Sequence, residues 1–271
     1  RRARLPRRLP DVAKSISGAH HPRMRDGDFR IRGKDISRVE GLSDAVFGFA
    51  ITLLVISLEV PKSADEVLHA MRGLLPFAVT FGILFGVWRT QFTFFRRYGL
   101  EDNTTVLLTA VLLFVILFFI YPLKFVMGAL FERILSHAGF PDPNAVNIFK
   151  EPHADLLMMT YGIGWFAVFA VFALMYRHAY SKRDELQLSE IEEFDTRQTL
   201  TAMVGSSIAG IVIAGINLAG YLMPEGKAAD RVAWILLAIV VVLAVTFGRT
   251  RRRARAERRR MIAGLRTAVE A

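Results

Sequence analysis

Long apolar runs alternate with short charged intervals along this chain. Runs long enough to cross a hydrocarbon core, which takes about 20 residues of helix, fall at 42–58, 73–88, 105–130, 156–175, 200–223 and 232–248. The pattern predicts six membrane-spanning helices. An even number places both ends of the chain on one side. The Lys/Arg bias assigns that side to the cytoplasm, because both basic tails, Arg96 and Arg97, and Arg177, Lys182 and Arg183 fall together.

Charged, Leu/Ala/Glu/Arg-rich stretches at 184–197 and 249–267 read as solvated extensions of the spans. Pro61 and Pro152 suit helix boundaries, and Pro122 lies inside the third helix, where it removes a backbone donor. Residues 132–152, with Pro141 and Pro143, read as an outer loop. The fifth run carries Gly205, Gly210, Gly215 and Gly220 among alanines, a small-residue pattern that lets helices approach closely.

Composition sharpens the class. Hydrophobic residues make up 53% of 271 and charged residues 22%, and the charges cluster outside the apolar runs, as expected when the solvent is a bilayer. The net charge of +10 resides largely in residues 1–34 and 249–260. Basic segments flanking spans favour anionic lipid headgroups over nucleic acid as their partner. The first residues lack an apolar stretch of signal-peptide type, so the first span is expected to direct insertion. The absence of cysteine excludes disulfides and thiol catalysis.

No enzyme constellation is present: the six histidines are scattered, and neither H-E-x-x-H nor a phosphate-binding glycine loop occurs. Glu192, Glu193 and Asp195 read as a solvated helix face beside Arg183 and Arg197 rather than a cation site. The informative residues lie in the first span. Asp44 sits at the start of an otherwise uncharged stretch and needs a partner. Successive residues are about 100° apart, so Leu42, Ala45, Phe49, Thr52, Leu53 and Ile56 share one face and Asp44 lies roughly 140° from Phe49. Helix 2 runs in the opposite direction and brings Trp88, Arg89 and Gln91 to the depth of Asp44, which predicts a network locking helix 1 to helix 2.

The pattern Arg38-x-x-x-Leu42-Ser43-Asp44 resembles the R-x-x-x-F-S-D signature of the endosomal and lysosomal transmembrane potassium channels and their bacterial relatives. The following Ala50-Ile51-Thr52-Leu53-Leu54 and the closing Pro61 fit the same pattern, as do Trp88, Phe92 and Phe95, with Gln91 where a histidine is usual. Leu42 replaces the usual Phe, and Phe49 replaces the usual Ile or Leu. The likeness is specific from Arg38 to Pro122, and a single copy of the motif suggests the bacterial form.

The resemblance implies a homotetramer in which helix 1 of each subunit lines the pore. Phe49, Leu53 and Ile56 would form its constriction, with Thr52 at the cation-selecting layer, in place of a carbonyl filter loop. The expected fold is thus an all-α integral membrane protein of six transmembrane helices. Residues 1–37 form a basic cytoplasmic tail, 38–248 the channel domain, and 249–271 a basic C-terminal helix or tail. The expected function is a leak-type, weakly to moderately selective potassium channel of a bacterial inner membrane, with K+ as permeant ion and no cofactor.

Two other readings stay open. A proton pathway or proton-coupled transporter would use Asp44, Arg89 and Asn217, and a non-conducting membrane protein would hold a partner through its basic tails.

Overall fold

The computed structural model describes residues 25–26, 29–56, 71–140 and 153–222, with isolated positions at 63 and 67. The sixth apolar run, the C-terminal basic segment and most of the proposed outer loop lie outside these residues. Among the described residues a two-stranded antiparallel ribbon, β1 (Arg25–Asp26) and β2 (Phe29–Arg30), precedes five helices. These are α1 (Arg38–Ile56), α2 (Leu74–Tyr98), α3 (Asn103–His137), α4 (Ala154–Ser181) and α5 (Glu190–Leu222). Helices α2 to α5, of 25, 35, 28 and 33 residues, are long and apolar enough to cross a bilayer. The chain is therefore an all-α, multi-pass integral membrane protein.

Each helix starts and stops for a local reason. Ser37 caps α1: its hydroxyl accepts from the Glu40 amide at 3.0 Å, while its carbonyl accepts from Gly41. Asp102 caps α3 by accepting from the Thr105 amide at 2.8 Å. Helix α2 ends at Gly99, whose φ of 60° places it in the left-handed region while its amide closes the last turn onto Phe95 O. Two sequence expectations need correction. Helix α3 continues through Pro122 to His137, so residues 132–137 are helix rather than loop. The expected helical extension at 184–197 begins only at Glu190, because the chain turns from Lys182 and Gln187 takes a φ of 50°.

Helix α3 lies at the centre, against α1, α2 and α4, and α4 runs along α5. The largest buried side chains gather where α2 ends and α3 begins, hereafter the basic end. There Phe29, Phe94, Tyr98 and Tyr176 meet edge to face or tilted, with ring centroids 5.1–5.9 Å apart. Small residues allow α4 and α5 to close: a Cβ on Gly210 would stand 2.5 Å from the Phe166 amide nitrogen, and one on Gly162 2.7 Å from that of Ala214. Gly210 of the fifth run thus serves packing within one subunit, against α4. At Gly215 a Cβ would meet nothing within 4 Å.

Candidate pore-lining helix

Helix α1 has two unlike faces. Glu40, Ser43, Phe47, Ala50 and Leu54 are buried against the other helices, at the four- and three-residue spacing of one helix side. On the opposite side Leu42 is 60% exposed, Phe49 57% and Val55 46%, with Ala45 and Thr52 exposed between them. Leu53 lies half-buried at the flank, and the side chain of Ile56 lies outside the described residues. The Thr52 hydroxyl donates to Gly48 O at 2.9 Å, so its proton is used within the helix and its oxygen lone pairs face outward.

Two contacts from α2 set the rotation of α1. The Trp88 indole N–H donates to Asp44 Oδ1 at 2.7 Å, and the Gln91 amide donates to Ser43 Oγ at 3.1 Å, whose own proton goes to Val39 O. Trp88 is held in turn by a ladder of rings along α2. Phe77, Phe81, Phe85, Trp88 and Phe92 follow one another at centroid separations of 5.2–6.4 Å, and the Arg96 guanidinium lies 5.4 Å from the Phe92 ring. Asp44 is exposed in the protomer, so this network lies at the edge of the bare face rather than deep in the core. Arg38 and Arg89 are also exposed, and among the described residues neither side chain has a hydrogen bond or ion pair. Asn217, fully buried on α5, donates to Ile213 O at 2.7 Å; it is not brought together with Asp44 or Arg89.

The sequence reading missed the clamp at the N-terminal end of α1. Arg32 lies 160 positions from Glu192, yet its guanidinium grips that carboxylate at 2.8 and 3.2 Å and donates to Leu186 O at 3.0 Å. Glu192 is therefore a buried ion-pair member, 3% exposed, and not part of a solvated face. It also accepts from the Arg30 and Ser189 amides at 2.6 and 3.0 Å. The Arg32 and Gly33 amides donate to Arg96 O at 3.1 and 3.2 Å, which satisfies a carbonyl left over at the end of α2. A Cβ at Gly33 would collide with Phe95 O, so glycine alone fits this docking. Glu40 lies 4.0 Å from Arg96 Nε. Only the S-x-x-E spacings of Ser37 with Glu40 and of Ser189 with Glu192 signalled any of this in the sequence.

A second ionic cluster ties α3 to α4. Asp102 accepts from His178 Nε2 at 2.6 Å and from Lys182 Nζ at 3.0 Å. Burial pushes the Asp102 carboxyl up, but hydrogen bonds from the Thr105 amide, His178 and Lys182 more than offset it and hold the group well below the usual aspartate range. The Lys182 ammonium is raised, chiefly by its hydrogen bond to Asp102.

Comparison with known proteins agrees with this arrangement. The sequence profile of the endosomal/lysosomal potassium channel TMEM175 matches residues 38–119, the stretch that holds α1, α2 and the start of α3. A protein from Marivirga tractuosa named "Potassium channel" is 40% identical over 177 residues, covering 65% of this chain and 72% of the relative. The fold superposes with a TM-score of 0.71 and 34% identity on a crystal structure of a variant of the potassium channel MtTMEM175 bound to a Nanobody-MBP fusion protein. That match covers 83% of this chain and 97% of the other. Motif, helix arrangement and relatives thus agree, and the chain belongs to the TMEM175 family as a bacterial member.

Proposed function

We propose that this protein is a potassium-permeable channel of a bacterial inner membrane, assembled as a homotetramer around α1, with both termini in the cytoplasm. The observation that carries the reading is the bare face of α1. A helix buried on one side against α2 and α3 leaves Leu42, Ala45, Phe49, Thr52 and Val55 without cover in the protomer. The relatives named as potassium channels support the same reading. Four such faces around an axis make an apolar constriction, with Phe49, Leu53 and Ile56 as its rings and the Thr52 oxygens as the polar layer between them. Selection then depends on how far a cation sheds water at an apolar ring and what acceptors meet it there. This predicts weak to moderate preference for K+.

The test is cation flux through the purified full chain in liposomes, driven by a potassium gradient and compared with sodium and proton gradients. Potassium flux above that of empty vesicles, raised several-fold by Phe49→Ala, is the expected result. Flux unchanged by Phe49→Ala removes that ring from the constriction. Saturable, proton-coupled flux abolished by Asp44→Asn replaces the channel with a transporter. Cross-linking of the inserted protein to four subunits, and not two, tests the assembly.

A further inference from the structure

Arg38 opens α1, and nothing inside the protomer accounts for it. A cation in the first turn of a helix opposes the dipole, which favours an anion there. The Arg38 side chain is exposed and, among the described residues, has no hydrogen bond or ion pair.

Helix geometry shows where this charge is placed. At about 100° and 1.5 Å per residue, Arg38 stands about 20° around the helix from Phe49 and about 16 Å before it. It therefore continues the bare stripe of Leu42, Ala45, Phe49 and Thr52 to the basic end of the helix. The nearest acidic groups do not cancel it there. Asp35, exposed just before α1, is offset by its neighbour Lys34. Glu40 is buried on the opposite side, beside Arg96. Asp44 lies about 9 Å further along and about 120° around the helix, held by the Trp88 indole.

We propose that four Arg38 side chains, one from each subunit, form a positively charged ring at the cytoplasmic mouth of the pore and limit the current drawn from that side. The ring rests on the proposed tetramer around α1. A cation leaving the cytoplasm must pass four guanidinium groups and four helix N-termini of its own sign. For a ring of about 8 Å radius, repulsion through water lowers the cation concentration at its centre roughly fifteenfold at 10 mM salt, three- to fourfold at 150 mM and hardly at all at 1 M. Ions arriving from the outer side are drawn from beyond the constriction and escape this depletion. Inward current therefore exceeds outward current at low salt, and the difference fades at high salt.

The chain has no cysteine, so Arg38→Cys introduces a single thiol whose charge can be set by a reagent. Single-channel currents of the full chain are recorded in planar bilayers across that range of KCl, with membrane-impermeant methanethiosulfonates added to one side. R38C is expected to raise outward current several-fold over wild type at 10 mM and to match it at 1 M. A cationic reagent on the cytoplasmic side returns the current toward the wild-type value, and an anionic reagent of similar size raises it further. Arg38→Gln and Arg38→Lys repeat the comparison without a reagent: the first behaves as R38C, the second as wild type. Arg38 is exposed and unpartnered in the protomer, so none of these variants threatens folding. A purely structural role predicts no response to the sign of the reagent and no dependence on salt. A conducting wild type whose R38C currents ignore that sign overturns the ring alone, and a wild type that passes no potassium current overturns the tetrameric pore and the ring with it.

Discussion

Removing Arg32 tests whether the clamp before α1 is as strong as its geometry implies. In Arg32→Met the carboxylate of Glu192, whose side chain is 4% exposed, loses both guanidinium contacts but keeps the Arg30 and Ser189 amides. Breaking one side of a buried ion pair costs about 3–5 kcal/mol. Two retained amide donors and the favourable dipole at the start of α5 place this case at the lower end, about 3 kcal/mol. Glu192→Met leaves the Arg32 guanidinium, 11% exposed, with carbonyl acceptors such as Leu186 O, and is expected to cost about 2 kcal/mol. With both charges gone no ion is stranded, so the double variant should also cost about 2 kcal/mol. The coupling is then about 3 kcal/mol, the upper end for residues in direct contact. The assay is equilibrium unfolding in mixed micelles titrated with SDS, followed by helical circular dichroism, with the exposed Arg38→Met as the control expected to stay within about 0.5 kcal/mol. A coupling below about 1 kcal/mol, or an Arg32→Met variant no worse than Arg38→Met, would refute the reasoning.

Three other outcomes are expected. Gly210→Ala forces α4 and α5 apart, since all three nearest atoms to its new Cβ are backbone, and should cost about 1–3 kcal/mol before a helix-propensity gain of about 1. Gly215→Ala, which meets open space, should not destabilise in the same unfolding assay. Trp88→Phe keeps the ring ladder but loses the donor to Asp44, and a double-mutant cycle with Asp44→Ala should return about 1 kcal/mol of coupling. The depressed Asp102 carboxyl contributes stability that is complete above the ordinary aspartate value of 3.8 and is lost as pH falls below it toward the folded-state value. Asp102→Asn, which still caps α3, should remove that contribution at neutral pH and flatten melting temperature against pH below the ordinary aspartate value of 3.8.

The five described helices were legible because a bilayer imposes a length and a composition that five apolar runs satisfy. Their ends were less so. The second run stops at Trp88 by hydropathy, yet α2 continues to Tyr98, where Phe94, Phe95 and Tyr98 are buried in the core. The Asp44 network was half legible. Antiparallel helices bring Trp88 to the depth of Asp44, but one residue of rotation, about 100°, carries Arg89 away from it, and Gln91 meets Ser43 instead. Glu192 was misread because its partner lies 160 positions away, and a local charge pattern contains nothing that distinguishes a buried glutamate from a solvated one.

The clamp and the bare face are two sides of one arrangement. Helix α1 is apolar on nearly every side, so burial alone would not decide which stripe faces the protein and which faces out. Directional contacts decide it. Ser43 and Asp44 are adjacent in sequence, and binding Gln91 and Trp88 at once fixes the angle of α1 about its own axis. Axial position is fixed separately: residues 30–33 are tied to the end of α2 through Arg96 O and to the start of α5 through Glu192, and Ser37 begins α1 only four residues later. A shift between the ends of α2 and α5 must therefore stretch the segment before α1 or break its hydrogen bonds. The segment that sets the register of Phe49 and Thr52 along the axis is thus held at the basic end of the bundle, near neither residue.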